Sequence, residues 1–166
     1  RAQFRIEAHD NAAPPQAGAS AWGSVEIVDF EAVHGLTERL WLAAEKNLES
    51  LAAAQKRASA LAKDLGAAPA DPPALRQELE NRLSGQPGAW RITVKSLESL
   101  AAAMASDPLS NQGVAAQTAE LAGEVAGMEP EALKEASGSA RRGDWPAAEK
   151  EFGRLAQRLQ SAHRTL

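Results

Sequence analysis

The stretch DFEAVHGLTERLWLAAEKNLESLAAAQKRASALAKDLG, residues 29–66, decides the fold. Its apolar residues recur at steps of three, four or small multiples of these, which places them on one face of an α-helix. Asp29 is a residue type that caps helix starts, and Gly66 is one that ends helices. The stretch therefore predicts a helix of about 35 residues, roughly 50 Å long, whose apolar stripe comprises Leu36, Leu40, Ala44, Leu48, Leu51, Ala58, Leu61 and Leu65.

This predicted helix is long for the size of the chain. A compact domain of 166 residues has a radius of gyration of only about 15 Å. We therefore expect the helix to protrude, to curve, to break near Gly35, or to pair with a second copy of the chain.

The sequence after the long helix predicts a series of shorter helices. Asp71-Pro72-Pro73 combines a capping carboxylate with proline at a helix start, and Gly85 ends that helix. The next helix follows Pro87-Gly88 and breaks at Asp107-Pro108. Their apolar stripes are Leu75, Leu79 and Leu83, and then Trp90, Val94, Leu97, Ala101 and Met104.

The last third of the chain predicts three further helices. Asp107 or Ser110 caps the first, Glu129-Pro130 opens a short second one that Gly143 closes, and Asp144 caps the last. Because the apolar stripes are one-sided, we predict a mainly α fold: an antiparallel helical bundle or stacked helical hairpins. The stripes are Val114, Thr118, Leu121, Val125 and Met128; Leu133, Ala136 and Ala140; and Trp145, Ala148, Phe152, Leu155, Leu159 and Ala162.

The first thirty residues predict β-structure. Phe4, Ile6 and Ala8 alternate with polar residues, as in a half-buried strand, and residues 25–30 form a second β-rich run. The Pro- and Gly-containing segment 10–23 between them predicts a loop. We expect a long-looped β-hairpin in residues 1–30, the remnant of an upstream β-sandwich domain, followed by a helical domain in residues 31–166.

Composition limits the classes of function. The chain contains four Trp, three Phe, no Tyr and no Cys, and its net charge is −4. So few large side chains predict thin helix–helix interfaces rather than a thick core around an enclosed pocket. Without clustered Lys and Arg, nucleic-acid binding is disfavoured. No stretch approaches the roughly 20 apolar residues that a membrane span needs, and we expect no cofactor.

The hairpin carries one resemblance. Residues 6–11, IEAHDN, followed by Pro15 and by residues 25–29, VEIVD, resemble the closing hairpin of cadherin-like or immunoglobulin-like bacterial extracellular domains. In cadherins such Asp residues help to bind calcium, but the glutamate and the Asp-rich linker that complete the family's site are not visible, so calcium binding is not carried over to Asp10. A hairpin that runs directly into Ala/Leu/Glu-rich helices is similar to large bacterial membrane proteins with a coiled-coil-like extracytoplasmic region.

The start of the last helix carries a second resemblance. Residues 143–148, GDWPAA, followed by Phe152 and Leu155, resemble the turn and second helix of a tetratricopeptide repeat. One copy is evident, whereas a solenoid needs about three repeats to bury its core. We interpret the segment as a local helical hairpin.

Few residues are candidates for chemistry. His9 and Asp10 are neighbours on a strand, so their side chains point to opposite faces. Glu31, His34 and Glu38 share a helix face that could hold a metal, but a solvated patch is the stronger interpretation. His163 complements the dipole at a helix C-terminus. We find no nucleophile, phosphate-binding or dinucleotide motif, and we predict no enzyme and neither catalytic nor metal-binding residues.

Four aromatic residues are the candidates for recognition: Trp22, Trp41, Trp145 and Phe152. Trp22 lies in the loop beside Gly23, where an aromatic ring can serve as an interface residue. We predict a non-catalytic structural or interaction module of a bacterial envelope protein, in the periplasm or another extracytoplasmic compartment. Its expected partner is a protein or a second copy, with a homodimer through the long helix as one form. The alternative is a tetratricopeptide-like adaptor that binds a peptide in a groove beside the last two helices.

Overall fold

A computed structural model describes residues 2–11, 13–14, 16–25, 29–70, 72–107 and 109–166, apart from the side chains of residues 2, 30, 32 and 33. The chain divides into two compact units, Arg1–Gly35 and Leu36–Leu166. The predicted fold class is confirmed, because antiparallel strand pairs precede a mainly α-helical chain. The predicted assignment of residues 1–30 to a sandwich domain stays a prediction.

The first unit contains a β-hairpin of four short strands. Strands β1 (Ala2–Phe4) and β4 (Gly23–Val25) pair antiparallel, with Phe4 opposite Gly23. Strands β2 (Glu7–His9) and β3 (Ala17–Ala19) pair closer to the turn, with Glu7 opposite Ala19. Between the two pairs the register shifts by one residue, and the Ser20 amide donates to the Ile6 carbonyl at 2.9 Å.

The returning strand of this hairpin lies earlier in the chain than predicted. The Asp10 carboxylate accepts a hydrogen bond from the Gln16 amide at 2.8 Å, so the turn closes within residues 10–16 and pairing starts at Ala17. The prediction of a loop through residue 23 was wrong because backbone pairing overrode the weak β-propensity of Ala and Gly. Phe30, predicted as strand, begins a helix. Residues 26–28 of the predicted strand lie outside the described residues.

The described residues form four helical rods. The first is α1 (Phe30–Ala67), whose start Asp29 caps by accepting from the Glu31 amide at 3.2 Å. The second is α2 (Pro73–Ser106). The third joins α3 (Gln112–Pro130), a π-helical segment (Glu131–Ala136) and α4 (Ser137–Arg142) without a gap, and the fourth is α5 (Trp145–Thr165).

The rods of the second unit form an antiparallel four-helix bundle. In α1, Asn47 bonds to Ser96 of α2, and Ser59 donates to the Glu149 carbonyl of α5. In the third rod, Thr118 approaches the Met104 sulfur of α2, and Glu131 pairs with Arg154 of α5. Each rod therefore borders the next, and the last borders the first, as in an up-down-up-down bundle.

Helix α2 is continuous where the sequence predicted two helices separated by Pro87-Gly88. Pro87 lies inside the helix and has no N–H to donate to the Leu83 carbonyl. The burial of the core side chains on both sides of Pro87 outweighs the loss of this hydrogen bond. These side chains keep the helical spacing of four and three residues through the proline. Its members are Leu79, Leu83, Gln86, Trp90, Thr93, Leu97, Leu100 and Met104.

The third rod also continues where a break was predicted, at Glu129-Pro130. Immediately after Pro130 the chain widens into the π-helical segment, in which the Ser137 amide donates to the Ala132 carbonyl five residues earlier. The Ser137 hydroxyl donates to the same carbonyl at 2.9 Å. The segment therefore absorbs one additional residue while the backbone stays helical.

The predicted helix caps have mixed outcomes. Asn111, rather than Asp107 or Ser110, caps α3 by accepting from the Gly113 amide at 2.8 Å. Asp107 instead closes the preceding turn, where its carboxylate accepts from the Leu109 amide and the Ser110 hydroxyl, each at 2.9 Å. Asp144 caps α5 as predicted. Asp71 lies outside the described residues.

The core of the bundle is built from Leu and Ala, with few aromatic rings. Trp90 and Phe152 are the largest fully buried side chains. In α1 the buried residues recur at the same four–three steps as in α2, and the buried alanines among them allow close approach of the helix axes. They are Ala44, Leu48, Leu51, Gln55, Ala58, Ala62 and Leu65, and Ala52 is buried beside them.

Candidate functional site

The hairpin carries large apolar side chains that are open to solvent. Exposed fractions are 52% for Phe4, 67% for Ile6, 63% for Trp22 and 48% for Val25. No residue of the first unit whose burial is described is buried. We call these four side chains the apolar hairpin residues. An isolated two-stranded hairpin is marginally stable in water, so the apolar hairpin residues lack the packing that normally stabilises such a sheet.

Two apolar hairpin residues share one face of the sheet. Cross-strand partners point to the same face, and Phe4 lies opposite Gly23, two residues before Val25. The Phe4 ring covers Gly23 so closely that an added Cβ there would lie 2.8 Å from its Cζ atom. The glycine therefore leaves space for the Phe4 ring on the face of the sheet that also carries Val25.

Trp22, the loop residue predicted as an interface, is exposed and partly covered by one cation. The Arg5 guanidinium lies 5.0 Å from the centre of its ring, within the range of a cation–π contact. Arg5 also forms an ion pair with Glu7. The structure therefore places Trp22 at the surface, beside a charged pair, which suits the rim of a protein interface.

The other three predicted recognition residues belong to the bundle. Trp41 and Trp145 are half-buried and pack against the core. The Arg76 guanidinium lies 5.4 Å from the centre of the Trp145 ring. Phe152 has no exposed surface, so the structure places it in the core, and any contact with a partner would require the bundle to open.

The turn before α5 has the geometry needed for a tight helical hairpin. Gly143 adopts a left-handed conformation with φ of 75°, and its amide donates to the Ala140 carbonyl at 3.1 Å. The Asp144 carboxylate then accepts from the Ala147 amide at 3.2 Å. Ala148 and Phe152 face the core from the first turns of the helix. The tetratricopeptide resemblance of this segment stays a prediction.

The titratable groups do not converge in the part of the chain that the structure covers. Those residues contain no group of three or more His, Asp or Glu side chains that could hold a metal ion. His9 lies 4.0 Å from Glu7, with both side chains largely exposed. His163 lies 3.8 Å from Glu45 across the α1–α5 contact. The His9–Glu7 distance describes a weak surface pair, whereas the Nε2 atom of His163 is enclosed without a hydrogen-bond partner among the described residues.

Two arginines of α5, Arg154 and Arg158, are paired with acidic side chains. Glu131, in the π-helical segment, accepts from Arg154 at 3.0 Å and from Arg158 at 2.8 Å. Arg154 also reaches Glu151 at 2.8 Å. The network links the third rod to α5.

Three buried polar side chains were not predicted as a group. Gln55, Gln86 and Trp90 are 0%, 4% and 0% exposed, and each has side-chain polar atoms without a hydrogen-bond partner in the described part of the protein. A signal for Gln55 was present in the sequence. The apolar stripe of α1 jumps from Leu51 to Ala58, and a regular four–three pattern would place one member between them, at residue 55.

No protein-family model, no curated protein and no solved structure matches this chain. Among the described residues, no helix combines the length and apolar character required to cross a membrane.

Proposed function

We propose that this chain is a non-catalytic structural and interaction module whose N-terminal hairpin binds another polypeptide. The observation that carries the proposal is the exposure of the apolar hairpin residues, Phe4, Ile6, Trp22 and Val25. Apolar surface is stabilised by removal from water at about 25 cal/mol per Å², and clustered exposed apolar residues mark interaction surfaces. A partner that covers Phe4 and Val25 would supply the packing that a lone hairpin lacks.

The helical bundle contributes stability rather than chemistry in this proposal. Its fully buried side chains are mostly Leu and Ala, and the ion pairs on its surface are partly exposed. We further propose that the parent protein is a bacterial envelope protein with an extracytoplasmic location. The support for that part is the resemblance of residues 6–11 and 25–29 to a sandwich-closing hairpin.

A second copy of the chain is the first partner to test. We expect light scattering combined with sedimentation to show a mass that rises with protein concentration. The double change Phe4→Ser and Val25→Ser should reduce this association, because it removes the apolar face that Gly23 and the strand pairing present. The matched control is Leu109→Ser, which changes a side chain of similar exposure, 64%, in the turn between α2 and α3.

Self-association through the long helix is the competing arrangement. Leu36 and Leu42 of α1 are 52% and 58% exposed, so a homodimer through α1 should respond to Leu36→Ser with Leu42→Ser instead. Loss of association in that variant alone would overturn the hairpin as the binding surface. A chain that stays monomeric while its β1–β4 amides resist hydrogen exchange would overturn the need for any partner.

The adaptor alternative has less support from the geometry. Beside Trp145, the cavity lined by Arg76, Leu79 and Leu83 has a volume of only about 20 Å³. Phe152 is fully covered. A peptide groove at this position would therefore require movement of α5 away from α2. Titration of the chain with peptides, followed by Trp145 fluorescence in a variant without the other tryptophans, tests this alternative.

A further inference from the structure

Three side chains in the core of the bundle carry polar atoms that have no hydrogen-bond partner among the described residues. The unpaired atoms are Nε2 and Oε1 of Gln55, Oε1 of Gln86 and Nε1 of Trp90. Buried polar atoms in folded proteins are nearly always paired with protein groups or with ordered water. Each unpaired group at this depth is destabilising, so the presence of three together needs an explanation.

The antiparallel packing places these three residues at one level of the bundle, which here means the same position along the bundle axis. The Asn47–Ser96 hydrogen bond fixes the level of α1 against α2. Eight residues forward from Asn47 lead to Gln55, and eight residues back from Ser96 lead to residue 88, each about 12 Å along the axis. Gln86 and Trp90 flank residue 88 by two positions each, so both lie within about 3 Å of the level of Gln55.

The third rod presents small side chains at the same level. The Thr118–Met104 contact fixes the position of the third rod along α2. Residue 134 lies sixteen residues after Thr118 and residue 88 lies sixteen residues before Met104, so these two positions are at the same level. The buried residues around 134 are Ala132 and Ala136 of the π-helical segment, both 0% exposed. Further toward Thr118 the same rod buries the larger Leu121, Val125 and Met128. The alanines therefore occupy little volume on the third rod at the level of Gln55, whereas the Ser59–Glu149 contact places the fully buried Phe152 of α5 at the same level.

The chemistry of the three side chains selects the class of ligand. The Gln55 amide can donate and accept, the Gln86 oxygen accepts, and the Trp90 indole only donates. Ser137, 3% exposed, adds a hydroxyl oxygen one turn further along the third rod. Asp107 is the one ionisable residue among the buried residues described, and it lies at the end of α2. A neutral molecule that both donates and accepts fits this set.

We propose that Gln55, Gln86 and Trp90 form an internal binding site for water between α1, α2 and the π-helical segment. Water is the smallest molecule that can pair with a donor and an acceptor at once, and buried waters typically make about three such bonds. The site is independent of the hairpin and of the proposed interaction function. It lies at the level where the third rod widens into the π-helical segment.

The test is nuclear magnetic resonance on the ¹⁵N-labelled full chain in water, which is itself the probe. We expect the indole proton of Trp90 and the side-chain amide protons of Gln55 to show cross-relaxation with a long-lived water molecule. Trp90→Phe identifies the indole resonance. Absence of the water signal at both groups, or a direct Gln55–Gln86 contact without it, would overturn the proposal.

A variant shows whether the three groups share one site. Gln55→Leu should abolish the water signal at Trp90, because the molecule loses two of its hydrogen-bonding atoms. Gln160→Leu, which changes an exposed glutamine of α5, should leave the signal intact. A signal at Trp90 that survives Gln55→Leu would overturn the shared site. The measurement on the unaltered chain decides the question even if this variant does not fold.

Discussion

At the scale of single residues, the burial of Phe152 distinguishes a role in the core from a role in binding. The sequence allowed either role, since an aromatic residue can anchor a core or an interface. The structure places its side chain entirely inside the bundle, whereas Trp22 on the hairpin is 63% exposed. The two residues should therefore respond to substitution in opposite ways.

We expect Phe152→Ala to lower the free energy of unfolding by about 3–5 kcal/mol, since it leaves a cavity in the core. Trp22→Ala should change that free energy by much less. Urea denaturation followed by circular dichroism at 222 nm, a wavelength that reports helix content, measures both. Equal losses of stability in the two variants would contradict the placement of Phe152 in the core.

Gly143 is the residue whose backbone conformation demands glycine. Its φ of 75° is the only positive value among the described residues. We expect Gly143→Ala to destabilise the protein by about 1–2 kcal/mol, because a Cβ is strained in that conformation. Gly127→Ala, at an open position inside α3, should instead stabilise it by about 0.5–1 kcal/mol. Thermal unfolding of both variants provides the comparison.

At the scale of the elements, proline and π-helix positions reveal where packing overrides local preference. Pro87 and Pro130 each predicted a helix boundary, yet both lie in continuous rods. The apolar stripe on each side of Pro87 keeps its spacing, so a break there would expose Trp90 and Leu97. The free energy of burying these side chains exceeds the cost of the lost backbone hydrogen bond.

That cost can be measured. Pro87→Ala restores an N–H that can donate to the Leu83 carbonyl, and we expect it to raise the free energy of unfolding by up to about 3 kcal/mol. Pro146→Ala is the matched control, because Pro146 lies in the first turn of α5, where no donor is needed. A destabilised Pro87→Ala variant would show that the proline shapes the packing around Trp90.

The π-helical segment could not be inferred from the sequence. Nothing in residues 131–136, EALKEA, distinguishes them from ordinary helix, since all have good or moderate helix propensity. The widening depends on the neighbouring rods, which bury Ala132 and Ala136 and bind Glu131 through Arg154 and Arg158. It is therefore a property of the packed bundle.

At the scale of the whole molecule, the sequence predicted the mainly α fold because apolar periodicity is a local property. Leu48, Leu97 and Leu155 were each assigned to the correct helix face, and all three are fully buried. The order of the rods around the bundle was not predicted, since it depends on contacts such as Asn47–Ser96 between distant parts of the chain.

The candidate site, like the fold, could be predicted from the sequence only in part. Trp22 was recognised because a large aromatic residue beside glycine in a loop is conspicuous in sequence. Phe4 and Val25 were assigned to strands, but their shared exposed face follows from the register of β1 and β4. The level shared by Gln55, Gln86 and Trp90 likewise requires the antiparallel packing of α1 against α2.

The closed order of the rods has a consequence for how the chain can be connected. Because α5 borders α1, with His163 3.8 Å from Glu45, the C-terminal end of α5 lies beside the early part of the bundle's first rod. A circular permutant that joins residue 166 to residue 36 through a flexible linker, and opens between α2 and α3, would keep every rod beside its present neighbours. The contacts between neighbouring rods therefore define the bundle, and the chain can begin at any of the turns that join them.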